Sequence, residues 1–230
     1  MTQEVQTDKL PIVISLTSWK ARIETAGKTV YSLVRSCNPW KICLTLASEE
    51  FPKRESELPV NILILIKTGV LEIIWTDRDV KCFKKILFAM KKYKDFPIVS
   101  ADDDCIYTEN YAKVLYEHWL KDKKSIWTFR PYRLAERLYV HGPAAIYPPN
   151  CFGDSGLEQL YNKNILRTWH DDVFYSILAW KLGIEIKPVI NSKKGIYVFH
   201  DDKDPLHKKL TTSVSYATMV CLKEIQITEK

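Results

Sequence analysis

Asp102, Asp103 and Asp104 stand side by side in IVSADDDCIY, residues 98 to 107, directly behind a short apolar run. Three carboxylates crowded at the end of a buried strand repel one another unless positive charge lies among them. In an extended backbone alternate side chains share a side, so Asp102 and Asp104 can share one hard divalent cation, Mn2+ or Mg2+. Such an ion takes oxygen ligands and completes its shell with phosphate oxygens and water. The competing structural role is a solvated turn that caps the helix expected after Thr108.

A second group suits sugars. Trp127, Phe129, Tyr132, Tyr139, Tyr147 and Phe152 offer flat apolar faces for stacking, although most are expected to serve packing. In HGPAAIYPP, residues 141 to 149, Gly142 and the prolines shape a turn while His141 and Tyr147 supply polar tips, which places an acceptor molecule beside it.

These residues need a scaffold. Runs at 11–18, 41–48, 61–66, 71–76 and 97–101 are apolar and β-rich, several without alternation, as strands buried on both faces are. The helix-like GKTVYSLVRSC between the first two gives a βαβ start and a largely parallel sheet flanked by helices. From Asp79 as N-cap, Val80, Phe83, Ile86, Leu87 and Met90 fall on one helical face, with Lys81, Lys85 and Lys92 opposite. Lys84 lies about 40° from Val80, at the edge of that stripe, and can reach toward a cleft. A second helix begins near Thr108. A third follows His170, with Gly183 as its stop. The stretch 131–168 reads as irregular structure.

With 230 residues, 46% of them hydrophobic, the chain suits one α/β domain. No apolar run approaches the roughly 20 residues that cross a bilayer. The opening MTQEVQTDKL lacks a basic region before its apolar run, so a cytoplasmic location is expected. The six cysteines form no CxxC pair and read as reduced thiols. The net charge of +6 comes from scattered lysine clusters, solvated faces or attractors of phosphate.

ISLTSWKARI, WTDRDVKCFKKI, IVSADDDCIY, HGPAAIYPP and TWHDDVFYSILAWKLGI, in this order, resemble a bacterial group of nucleotide-sugar glycosyltransferases. These are family 2-like enzymes with the GT-A fold, of the surface-polysaccharide or lipooligosaccharide type. The resemblance covers roughly residues 11 to 190. It implies one GT-A domain with a mixed, mostly parallel sheet. A donor half would span 11–108, an acceptor and catalytic half 109–200, and a tail 201–230. Thr17, Ser18 and Arg22 would begin the nucleotide site, Asp79 and Lys84 would lie along the donor, and Asp103 would sit between metal-binding Asp102 and Asp104. His200 would be a late metal ligand. Asp172, or Asp171 if the turn is rotated by one residue, would be the base of an inverting transfer, and both also suit helix capping. No Gln-x-x-Arg-Trp motif follows, which argues against processive synthesis. The implied partners are a nucleotide-diphosphate sugar, UDP-linked, and a glycan or lipid-linked acceptor, met at the inner face of the membrane.

Two other readings compete. A metal-dependent nucleotidyltransferase would show a Gly-rich phosphate loop, which SLTSWKARIETAGK does not form. A basic module for nucleic acid or a membrane surface would concentrate its charge. Here the lysines are spread and no nucleic-acid motif is visible, so no nucleic-acid partner is expected.

Overall fold

The computed structural model describes residues 9–134, 136–190, 197–199 and 212–226. The chain opens with the expected βαβ unit: β1 (Leu10–Thr17), α1 (Ile23–Ser36) and β2 (Pro39–Ala47). There follow α2 (Val60–Lys67), β3 (Leu71–Thr76), α3 (Lys84–Lys92), β4 (Ile98–Ser100), β5 (Cys105–Tyr107) and α4 (Tyr111–Trp119). The second half holds β6 (Ile126–Thr128), a β7–β8 hairpin (Tyr132–Leu134 and Arg137–Tyr139), β9 (Ala145–Tyr147), α5 (Gly153–Gln159) and α6 (Lys163–Leu166). It ends with α7 (Asp171–Lys181), β10 (Ile186–Pro188), β11 (Tyr197–Phe199) and α8 (Val214–Glu224).

Seven strands form the central sheet in the order β10-β6-β9-β4-β1-β2-β3. All neighbours run parallel except β9, which lies antiparallel to both β4 and β6. This is the mixed, mostly parallel α/β sheet that was expected. Its two faces are both covered. Ile12, Ile14 and Leu16 of β1 point into one core with α1 and α4, while Val13 points into the other with α3 and α7. Burial on both sides explains why the strand sequences do not alternate. Gly183, at φ +68°, ends α7 in the left-handed region, as its sequence position suggested.

Three expectations are corrected. Residues 61–66, read as a strand, belong to α2. Parallel β2 and β3 need a crossover between them, and this segment is the crossover. Periodicity cannot settle so short a continuous apolar run. The stretch 131–168 is not simply irregular, since it supplies β9 to the central sheet together with the hairpin and two short helices. The helix expected from Asp79 instead starts with a 3-10 turn, Lys81–Phe83, before α3. Lys81 sits at φ +57°, off the helical path, and a 3-10 turn advances each residue further round the axis than an α-turn. The phase therefore shifts, and Lys85, expected on the outer face, is 4% exposed.

β1 lies where the strand order reverses: α1 carries the chain to β2 on one side, and α3 carries it to β4 on the other. Crevices at the carboxyl ends of strands around such a point are where open α/β sheets bind ligands. Among the described residues no helix is long and apolar enough to cross a membrane, and all six cysteines are free thiols.

Candidate active site

The ends of β1 and β4, the start of α3 and the start of α7 enclose a cavity of about 160 Å³. Thr17, Ser18, Arg22, Asp79, Lys84, Asp102, Asp103, Asp104 and Asp171, all singled out from the sequence, line it together. A larger hollow of about 1030 Å³ lies between α1, α2 and the β5–α4 connection, but among the described residues its only lining carboxylate is Glu109. The smaller cavity gathers the carboxylates together with Arg22, Lys81, Lys84 and Lys85.

The three aspartates diverge. Asp103, 5% exposed, turns inward, where Ser18 Oγ donates to its Oδ2 at 2.6 Å and Arg22 donates to its Oδ1. The same guanidinium lies 3.1 Å from Asp104 Oδ2. Thr29 Oγ1 ties the turn to α1 through the carbonyls of Asp103 and Cys105, at 2.9 and 2.8 Å. Asp102 points the other way, its Oδ1 2.5 Å from Lys85 Nζ. Thr17, by contrast, spends its hydroxyl on the Thr45 carbonyl at 2.8 Å.

Lys85 is the central residue that sequence reasoning missed. Its ammonium bridges Asp102 and Asp171, lying 2.8 Å from Asp171 Oδ2, and Gly142 leaves room beside it. A Cβ built at Gly142 would stand 3.5 Å from Lys85 Nζ. Burial opposes the charge on Lys85, yet the Asp102 and Asp171 carboxylates outweigh it and raise its pKa well above the ordinary value. Burial likewise pushes the Asp171 carboxyl up, to about 6, against the pull of Lys85. The available signal was acid density: aspartates at 102–104 and 171–172, of which Asp103 and Asp171 are buried, call for cations beside them, and Lys84-Lys85 is an adjacent pair that is itself buried.

Lys84 is 2% exposed rather than at a stripe edge. Its Nζ donates to Asp79 Oδ1 at 2.8 Å and to the Lys81 carbonyl at 3.1 Å. Asp79 also accepts from the Lys81 backbone N–H at 2.9 Å, while Val80 holds the N-cap position of the 3-10 turn. Burial works to raise the Asp79 carboxyl, but Lys84 and Lys81 together hold it below its ordinary range. Glu50 stands nearby, 3.9 Å from Lys84 Nζ, its carboxyl pushed up by burial and by Asp79. Lys84→Met should therefore lose about 3 kcal/mol of stability, read by urea unfolding, because Asp79 is left with one cation fewer in a buried site. An unchanged unfolding midpoint would contradict a structural role for this pair.

The wall opposite is made by Lys81 and Trp169, both non-glycine residues at positive φ, +57° and +58°, with the ammonium 5.6 Å from the indole ring. Neither residue was flagged from the sequence.

Asp171 and Asp172 separate at the head of α7. Asp171 faces the cavity. Asp172 faces the hairpin instead, where Tyr132 donates to its Oδ2 at 2.9 Å, while its Oδ1 accepts from the Val173 N–H at 2.9 Å. Of the expected acceptor contacts, His141 and Gly142 are part-exposed beside this region. His141 Nε2 lies 3.2 Å from the Tyr197 hydroxyl, and its Nδ1 has no hydrogen-bond partner among the described residues. Burial, with Arg130 and Lys85 adding to it, lowers the His141 pKa. Tyr147 is not a polar tip. It is 1% exposed in the core, 5.8 Å from the Phe152 ring and 5.9 Å from Tyr175, because it belongs to central strand β9.

The donor set suits a hard cation in part. The Asp102 and Asp104 side chains keep 27% and 18% exposure toward the cavity. Among the described residues no three His, Cys, Asp or Glu side chains form a metal-binding group. His200, the expected third ligand, lies outside the described residues.

No protein-family profile matches the chain, and no curated protein matches it significantly. Solved structures do. GalNAc-T7, crystallised with UDP, GalNAc and Mn2+, superposes with a TM-score of 0.59 at 13% identity, over 80% of this chain and 43% of that one. Residues 1–349 of S. aureus TarS in complex with UDP-GlcNAc give a TM-score of 0.59 at 8% identity, over 93% of this chain and 71% of that one. The same TarS segment in a further crystal structure gives 0.56 at 9% identity, over 92% and 69%. The chain thus spans less than half the length of the GalNAc-T7 chain. Likeness at these identities speaks to architecture, and the seven-stranded sheet with its crevice at the β1–β4 switch point has the GT-A fold.

Proposed function

We propose that this protein is a glycosyltransferase that moves a sugar from a nucleotide-diphosphate sugar, UDP-linked, to a hydroxyl of a glycan or lipid-linked acceptor. The observation that carries this reading is the divided acid cluster: Asp102, Asp104, Arg22 and Lys85 face a crevice at the switch point, while Asp172 stands apart on the hairpin side. The neighbours' complexes with UDP and UDP-GlcNAc support the donor class.

In this reading Thr17, Ser18, Arg22 and Asp103 form the start of the nucleotide site, with Asp79 and Lys84 farther along the donor. Asp102 and Asp104 would hold a divalent ion, Mn2+ or Mg2+, together with diphosphate oxygens; the Mn2+ in the GalNAc-T7 crystals supports the choice. Such an ion supplies neutralisation of the leaving diphosphate. The acceptor hydroxyl gives its proton to the Asp172 carboxylate as its oxygen bonds to the anomeric carbon. The bond from that carbon to the β-phosphate oxygen breaks, and its electron pair leaves with the nucleoside diphosphate. Arg22 and Lys85, held in place by carboxylates before donor arrives, meet that growing charge without reorganising. A single displacement inverts the anomeric centre. His141 and Gly142 border the acceptor, and transfer is non-processive, as in the building of surface polysaccharide by a cytoplasmic enzyme at the inner membrane face.

A thermal-shift screen tests the donor reading. UDP and UDP-sugars with Mn2+ should raise the melting temperature, chelation should remove the shift, and Asp104→Ala should abolish its Mn2+ dependence. Equal shifts with and without chelator would sink the role given to Asp102 and Asp104. No shift with any nucleotide would sink the donor reading.

A further inference from the structure

Asp172 stands in the first turn of α7, where a bare carboxylate could swing about its own side-chain torsions, and one aromatic hydroxyl from another element stops it. Tyr132 Oη donates to Asp172 Oδ2 at 2.9 Å, and the Val173 N–H holds the other oxygen at 2.9 Å. Two donors from two elements fix the carboxylate plane while leaving lone pairs on both oxygens.

Tyr132 is itself held firmly. Its ring stacks on Tyr139 across the hairpin, with centroids 4.9 Å apart and planes within 14°. The two residues are cross-strand partners in the β7–β8 register. Tyr139, 1% exposed, packs edge-on to Trp180 of α7 at 4.7 Å, and its hydroxyl lies 3.0 Å from Thr218 Oγ1 of α8. Just beyond β8, the Val140 N–H donates to Ser176 Oγ at 2.9 Å, and Ser176 Oγ donates to the Asp172 carbonyl at 2.6 Å. The hairpin is therefore fastened to α7 at both of its ends. Burial, and then the Asp172 charge beside it, hold the Tyr132 phenol well above its ordinary range, so it remains a donor at working pH. Tyr132 does not line the donor cavity.

We infer that Tyr132 is a positioning residue for the transfer reaction, holding the Asp172 carboxylate toward the acceptor hydroxyl from a hairpin that takes no part in donor binding. This rests on the reading of Asp172 as the base. The role belongs to the hydroxyl, since the ring's stacking survives in phenylalanine.

The test is a double-mutant cycle on nucleoside-diphosphate release, with water as acceptor and UDP-GlcNAc, UDP-GalNAc and UDP-glucose (releasing UDP) and GDP-mannose (releasing GDP) as the donor panel, each with Mn2+. Tyr132→Phe should slow release by about 10- to 100-fold through kcat, the scale of a misaligned reacting group. Donor KM and the melting-temperature shift caused by UDP should stay at wild-type values. In an Asp172→Asn background the same change should slow release no further, because the group it positions is already disabled. Three results would overturn the inference: wild-type kcat in Tyr132→Phe, equal slowing in both backgrounds, or loss of the UDP-induced shift in step with the rate. Wild-type release by Asp172→Asn would overturn the base assignment as well. No release from any donor by the wild-type protein would remove the transferase reading on which both stand.

Discussion

Asp172→Asn should lower turnover by at least ~100-fold, the scale of general-base catalysis, while melting temperature and Mn2+-dependent UDP binding stay at wild-type values. The separation of effects follows from geometry. Asp172 is absent from the lining of the cavity that holds Asp102 and Lys85, and its carboxylate's two contacts, from Tyr132 and from the Val173 N–H, are acceptor roles. An asparagine carbonyl can accept either bond. What it cannot do is take a proton. Asp171→Asn is the informative comparison, because Asp171 faces the cavity and is already engaged by Lys85. Its loss should disturb the Lys85 ammonium in that cavity, so under the proposed function donor binding should weaken along with turnover. If both variants transferred at nearly the wild-type rate, the base would have to be sought elsewhere, and an inverting mechanism would lose its support.

The second large effect is expected at Lys85, which one ammonium makes the common partner of Asp102 and Asp171. Lys85→Met fills the same volume with an apolar stem and leaves two carboxylates facing each other in a buried place. Removing one member of a buried charge group costs about 3–5 kcal/mol, and UDP affinity should fall with it. The pH dependence carries a sign. Lys85 has a raised pKa in the fold, so its stabilising contribution is present below its ordinary pKa and disappears only as pH rises through the higher folded one. Asp171 is also raised, to about 6, so ionising it works against the fold as pH rises from its ordinary range through that value. Without the ammonium that opposition is stronger. The deficit of Lys85→Met should therefore be smallest near about pH 4, below the raised pKa of Asp171, where that carboxyl is protonated, and largest near neutral pH. Urea unfolding at the two pH values measures it. A deficit independent of pH would mean that packing rather than charge accounts for the loss.

The same residue shows why sequence and structure divide the information as they do. The order of elements could be read from the chain because strand and helix signals are local. A parallel sheet buried on both faces writes continuous apolar runs at β1 and β2, α7 ends at a glycine, and a triplet of aspartates directly after β4 announces charge that must be compensated. Residues 61–66 escaped that reading, since a short apolar run fits either period and only the crossover between β2 and β3 decides it. Lys85 escaped for a related reason. Its face depends on a break at Lys81 φ +57° and one 3-10 turn, and a small error of phase at the helix start moves a lysine from solvent to the centre of the site. Tyr147 erred in the opposite direction, because antiparallel insertion of β9 between β4 and β6 is a long-range event with no local mark.

The chemical groups this protein brings are legible along the chain: paired and triple carboxylates behind apolar strands, adjacent lysines, and a helix headed by two acids. How they are shared out depends on the three-dimensional fold. It turned Asp103 inward to Ser18 and Arg22, gave Asp102 and Asp171 one common cation, and set Asp172 against Tyr132 on the far side of the helix start. The physical reason is that charge compensation in a buried site acts through space over a few ångströms, between residues far apart in the chain, whereas the patterns that specify strands and helices act between neighbours along it.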